Sequence, residues 1–257
     1  MKLKKRILIF LVLFAILILG IIKLNLSIWL ILPLIIVFLF PIVMGAIRIQ
    51  DDYFIKSIHS LNDPLINTSH YLPTDICITF DDGIHNEYTP KVLDILKSQD
   101  VKAMFFIIGK NILHNESILK RILNEGHIVG NHSDQHSFWF DMKSSSSMLH
   151  EIKVANSKVG DVLGKENEPI YFRPPYGVTN PNLAKAIKNS GLISVGWNLR
   201  SMDTVAKAKS ELLTKLKNET RAGSIILLHD RCPITVDTLT DYIMFCKTQG
   251  FTFTTLK

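Results

Sequence analysis

Two uncharged runs open the chain, and a regular alternation of short elements follows them. Residues 7–22 (ILIFLVLFAILILGII) and 28–47 (IWLILPLIIVFLFPIVMGAI) contain no charged side chain. About 20 apolar residues cross a bilayer as a helix, so the second run predicts a membrane-spanning helix and the first a slightly short one. Pro33 and Pro41 are tolerated in such helices. Lys2, Lys4, Lys5 and Arg6 favour a cytoplasmic N-terminus. Two full spans would return the rest of the chain to the cytoplasm, whereas a cleaved or interfacial first run would leave it outside, and the side stays open. The expected organisation is a membrane anchor over 1–50, a linker over 51–71 and one domain over 72–257.

Beyond residue 75 the pattern changes to β-rich runs separated by helical periods. The runs are 76–80, 103–108, 127–130, 169–172, 192–197, 224–229 and 251–255. Thr89 and Pro90 give one helix a start signal, and Gly126 gives the next a stop. Seven strands alternating with six helices predict parallel pairing, in a doubly wound sheet or a barrel. In both, chemistry collects at the carboxyl ends of the strands. Those ends hold Asp81-Asp82, Asn131-His132, Arg173-Pro174-Pro175-Tyr176-Gly177, Trp197 with Asp203 just beyond, and His229-Asp230.

Composition narrows the functional classes. The net charge of +6 includes four cations in the first six residues, and the remainder is near balance, which argues against a nucleic-acid surface. The three cysteines form no CxxC pair, so neither a disulfide framework nor a cysteine-rich zinc site is expected.

The candidate chemistry begins with NHSDQHS, residues 131–137. His132 and His136 stand at i and i+4, a spacing that lets two imidazoles grip one ion. Residue 133 is Ser, so the HExxH pattern and its glutamate base are missing. A third ligand must come from another segment, and the acidic strand end at 81–82 supplies one. Two histidines and a carboxylate describe an open, catalytic site. The second carboxylate is then available as a base for water.

In this order TFDDG, HSDQH, RPPYG, WNLRSMD and LLHD resemble the five motifs of the polysaccharide deacetylase family, the NodB-homology domain of carbohydrate esterase family 4. The resemblance covers about 72–257. It implies an α/β fold, a distorted (β/α) barrel of about seven strands, here expected behind two transmembrane helices. It implies metal-dependent removal of N-acetyl groups from a glycan partner such as peptidoglycan or a chitin-like polymer. Asp82, His132 and His136 would hold the ion, commonly zinc, with cobalt, nickel or manganese as alternatives. Asp81 would be the base, Arg173 would orient it, and the backbone N–H of Tyr176 would face the oxyanion. His229 would protonate the leaving amine, with Asp203 holding its imidazole charged. Trp197, Leu227, Pro174 and Tyr176 would contact substrate. The other six histidines are read as structural or solvated. Residue 84 is Ile where the family often has Pro, and residue 204 is Thr where many members carry an aromatic. Two other activities stay open: deacylation of a lipid-linked sugar at a membrane surface, and carbohydrate binding without turnover.

Overall fold

A computed structural model describes residues 2–24, 27, 29 and 31–257, with side chains from Val12 onward. Helices α1 (Lys2–Lys23) and α2 (Ile31–Ile47) come first. Among the described residues, no helix is long and apolar enough to cross a membrane. This corrects the expectation of two transmembrane helices. The uncharged part of α1 is about 24 Å long and α2 about 25 Å, at 1.5 Å per residue, against roughly 30 Å of hydrocarbon. Residues 28 and 30, at the start of the second run, lie outside the described residues. The two helices touch through stacked Phe14 and Phe38, and the end of α2 docks onto the domain. There the Thr179 N–H donates to the Ala46 carbonyl at 2.8 Å.

The domain alternates β1 (Asp75–Gly83), α3 (Tyr88–Ser98), β2 (Met104–Ile107), α4 (Glu116–Asn124), β3 (Ile128–Asn131), α5 (Ser145–Leu163), β4 (Tyr171–Phe172) and α6 (Pro181–Ser190). Strands β5 (Ile193–Ser194) and β6 (Leu199–Arg200), then α7 (Lys209–Glu219), β7 (Ile225–His229), α8 (Pro233–Thr248) and β8 (Thr252–Phe253) complete it. Seven strands form one parallel sheet in the order β5-β4-β3-β2-β1-β7-β6, with β8 added beside β1. The predicted strand 192–197 is broken: Val195 to Asn198 turn the chain from β5, at one sheet edge, to β6 at the other.

Residues 51–71, expected as a linker, pack against this sheet. The Ile58 N–H donates to Ser194, the Gly196 N–H to Ile58 and the Leu61 N–H to Gly223, at 2.8–2.9 Å. The segment thereby bridges the gap between β5 and the start of β7, and Ile55, Ile58 and Leu61 are buried. The sheet is a curled, barrel-like half-cylinder whose seam is filled from upstream.

Period-two alternation sorts the strand residues between two cores. Ile76, Ile78 and Phe80 of β1, Phe105 and Ile107 of β2, and Ile226 and Leu228 of β7 join the helix-side core with Val92, Leu96, Tyr242 and Ile243. Cys77, Met104, Phe106, Ile225 and Leu227 point to the inner core with Trp197. Helices α5 and α6 close a third cluster around Phe140 and Phe172. All three cysteines are buried and free. Thr89, expected to cap α3, instead lies inside it. Its hydroxyl accepts the His85 N–H at 2.8 Å and donates to Asp230 at 2.5 Å, tying the β1–α3 turn to the end of β7.

Candidate active site

The inner-face alternation carries two predicted residues to the same rim. On β1 the series Cys77, Thr79, Asp81 continues inward, and on β7 the series Ile225, Leu227, His229 does the same. Asp81 and His229 are register partners across the two strands. Strict alternation would turn Asp82 to the helix side. The sheet register shifts between Asp81 and Gly83, and Asp82 takes a left-handed φ of 69°. This bulge returns the second carboxylate to the cavity. Ser133, His136 and Tyr176 are also left-handed, at φ 64°, 47° and 59°. Non-glycine residues pay roughly 1–2 kcal/mol for that conformation, so its concentration here marks a site held by its surroundings.

Asp82 Oδ1 lies 3.6 Å from His132 Nε2 and 3.4 Å from His136 Nε2. These three side chains form a cluster able to hold a metal ion. The donor set fits one: His132 Nδ1 is 2.7 Å from the buried Arg173 carbonyl. That carbonyl can only accept, so Nδ1 carries the proton and the Nε2 lone pair faces the cluster. Burial, and then neighbouring His132, push His136 down to about 4, which keeps its imidazole neutral and available at physiological pH. Burial opposes ionisation of Asp82, but His132, His229, His136 and the Arg231 bond outweigh it and hold the carboxyl below its ordinary value. The loop bearing the histidines is fixed by Asn131, whose Oδ1 accepts the Ser133 N–H at 2.8 Å, and by Ser133 Oγ, which accepts the His136 N–H at 3.0 Å.

Asp81 has different company. Its Oδ1 accepts from Arg173 Nη1 at 2.7 Å, and both side chains are buried. Arg173 also donates to Thr79 Oγ1, the Gly196 carbonyl and the Val195 carbonyl, at 2.7, 2.8 and 3.2 Å, and lies 4.0 Å from the Phe106 ring centroid. Across the cavity His229 Nδ1 is bonded to Asp203 Oδ1 at 2.8 Å, while Asp203 Oδ2 accepts the His229 N–H and the Thr235 hydroxyl. Burial works against a charged His229, yet the Asp203 bond and charge, helped by Asp81 and Asp82, raise its pKa above the ordinary value.

A cavity of about 190 Å³ gathers Asp81, Asp82, His132, His136, Tyr176, Trp197, Leu227 and His229. Arg173 and Asp203 stand behind it, each bonded to a lining residue. Pro174 is buried and does not line the cavity; its carbonyl accepts the Gly177 N–H and shapes the turn that presents Tyr176. Gly177, at φ 70°, is where a β-carbon would collide with the Trp197 ring. Among the described residues, no carbonyl accepts the backbone N–H of Tyr176.

Sequence reasoning missed three contributors. Asn111 donates to the Asp82 and Gly83 carbonyls at 3.0 and 3.2 Å and pins the bulge. Arg231 Nε donates to Asp82 Oδ2 at 2.7 Å, and Arg200 lines the cavity. Arg231 left a signal as the cation directly after the LLHD strand end, and Arg200 left one as the cation inside WNLRSMD; Asn111 left none.

Residues 71–195 match the family model described as polysaccharide deacetylase. The chain is 35% identical over 181 residues to the peptidoglycan-N-acetylmuramic acid deacetylase PdaA of Bacillus subtilis, covering 69% of this chain and 68% of that protein. It is 34% identical over 181 residues to the peptidoglycan-N-acetylglucosamine deacetylase PgdA of Listeria monocytogenes, covering 70% of this chain but 38% of that larger protein. Its fold superposes on the crystal structure of the Bc1960 peptidoglycan N-acetylglucosamine deacetylase with a TM-score of 0.68 at 32% identity, over 72% of this chain and 87% of that one.

Proposed function

The chain belongs to the polysaccharide deacetylase family, and on that premise we propose that it hydrolyses N-acetyl groups from the amino sugars of a peptidoglycan-type glycan with the help of a divalent cation. The observation that carries the reading is the separate bonding of the paired acids. Asp82 Oδ1 faces two imidazole nitrogens, whereas Asp81 Oδ1 is held by a buried guanidinium.

Asp82, His132 and His136 would hold the cation, zinc first among the ions such a donor set accepts. When bound, it supplies Lewis-acid polarisation of the amide carbonyl and makes water more acidic. Asp81, fixed by Arg173, takes the proton from the attacking water as its oxygen bonds to the acetyl carbon. The Tyr176 N–H donates to the developing oxyanion, a contribution of about 3 kcal/mol per well-placed donor. The carbon–nitrogen bond then breaks as His229, kept protonated by Asp203, gives its proton to the departing amine. Trp197 and Leu227 wall the space for the acetyl methyl. The products are acetate and a free amino sugar. Recognition alone would require neither the buried Asp81–Arg173 pair nor a His229 whose pKa is raised by Asp203. The lipid-linked sugar reading drew support from two membrane spans, and among the described residues no helix is long and apolar enough to cross a membrane.

The test uses the purified full chain and an N-acetylglucosamine pentamer. Acetate release should be stopped by a chelator and restored by zinc. Asp81→Asn should keep metal stoichiometry and lose turnover by about a hundredfold or more, as expected for a lost general base, whereas Asp82→Asn should lose the metal. Equal metal loss in both variants, or release indifferent to both, would refute the assignment.

A further inference from the structure

The cavity carries more positive charge than the removal of a neutral acetamide calls for. Arg173 answers Asp81, and Arg231 answers Asp82. Arg200, at the end of β6, lines the same cavity, and among the described residues it has no acidic partner. Its guanidinium lies 6.0 Å from the Trp197 ring centroid, which steadies it beside the acyl pocket without neutralising it. Arg231 uses only Nε on Asp82. Among the described residues nothing accepts from its two Nη groups, and its side chain is 48% exposed. Both arginines sit at the ends of the paired strands β6 and β7, so they share one rim. On the histidine side of the cavity, Tyr176, Phe138 and Trp139 are exposed aromatic rings, with Phe138 in contact with each of the other two. Tyr176 lines the same cavity as Arg200 and Arg231, so one bound glycan can touch the ring and both guanidinium groups.

We propose that Arg200 and Arg231 form a carboxylate-recognition subsite, so that the chain prefers an N-acetylated glycan bearing a carboxylate at or beside the sugar that is deacetylated. A carboxylate matches the fork of donors on a guanidinium, and a neutral hydroxyl does not. Arg231 has a second role here: Nε keeps Asp82 turned to the histidines while the Nη groups meet the ligand. The inference rests on the deacetylase reading only for which bond is cut, since recognition of the acid precedes turnover.

The two are separated by measuring binding and acetate release on the same samples. The probes are a neutral N-acetylglucosamine tetramer and a tetrasaccharide alternating N-acetylglucosamine with N-acetylmuramic acid, its lactyl carboxylates free. Calorimetry on the full chain should give about tenfold tighter binding of the acidic probe at low salt, the scale of one charge-assisted contact. Raising salt should erode that preference through screening. Arg200→Gln should reduce it to about twofold or less, while Arg200→Lys, which keeps the charge but loses the fork, retains part of it. Arg200 is exposed, so these variants should keep the circular dichroism of the parent. Equal binding of the two probes, no binding of the acidic one, or a preference unchanged in both Arg200→Gln and Arg231→Gln overturns the subsite. A preserved preference with no acetate released refutes the deacetylase reading and leaves the subsite standing.

Discussion

Removing Arg173 tests whether the site is built around a buried ion pair. Its side chain is fully buried, and its donors serve Asp81, the Thr79 hydroxyl and two carbonyls of the β5–β6 turn. Arg173→Met keeps apolar volume over Phe106 but leaves the Asp81 carboxylate buried without its cation. Breaking one side of a buried pair costs about 3–5 kcal/mol, a large share of the roughly 5–15 kcal/mol that holds a domain folded. Urea unfolding of the metal-free chain at pH 7 reads this cost as a lower midpoint at unchanged slope. Asp81→Asn together with Arg173→Met removes the stranded charge, so the double variant should be more stable than the summed single losses by about 2 kcal/mol. Arg173→Lys keeps the charge without the planar fork, and should bind metal normally while turning over about tenfold slower. Additivity of the two single changes within about 0.5 kcal/mol would show that the pair is not coupled, and the orienting role of Arg173 would fall with it.

Two further outcomes follow from the titrating groups. His229 must be protonated to serve the leaving amine, so activity falls as pH rises through its raised pKa; Asp203→Asn removes the main support for that charge. The alkaline limb of the kcat/KM profile should then move to lower pH with about a tenfold loss at the optimum, and an unmoved limb would exclude His229 as the titrating acid. His127 is pushed down to about 4 by burial, with Lys102 adding to it, and its Nδ1 accepts the Ala103 N–H at 3.1 Å. Its folded pKa lies below the unfolded value of about 6.5, so stability present above pH 6.5 is lost as pH falls toward 4, by about 3 kcal/mol. His127→Gln keeps an acceptor but does not titrate, and should flatten that acid limb in urea midpoints taken without metal; parallel limbs in parent and variant would refute the assignment.

The sequence made the site legible where chemistry sits at strand ends, and obscure where backbone geometry departs from the period. Asp81 and His229 follow from alternation along strands that end together. Asp82 does not, because adjacent strand residues face opposite ways; only a left-handed backbone at the bulge, pinned by Asn111, brings it inward. The uncharged run 28–47 has the composition of a membrane span, yet the helix described over Ile31–Ile47 has its end tied to the domain through Thr179. Hydropathy counts residues and is blind to such docking. Residues 51–71 read as a linker because they are polar and aperiodic. Their backbone bonds to Ser194, Gly196 and Gly223 join partners distant in the chain, which no local pattern encodes.

The two acids of the DDG turn differ in the arginine each one meets. Asp81 gives one oxygen to a guanidinium with no exposure at all, while its other oxygen lies 3.7 Å from His132 Nε2. Asp82 gives one oxygen to a guanidinium half open to solvent, and turns the other to both histidines. A buried arginine bonded to Thr79 and two carbonyls cannot follow a ligand, so it suits a base whose position must not change. An exposed arginine can rotate about its Nε contact and still reach outward. With Asp82 assigned to the cation, Arg231 links that ligand to the carboxylate at the rim. Loss of Arg231 should therefore weaken metal affinity and acidic-glycan affinity together, whereas loss of Arg200 should weaken only the second.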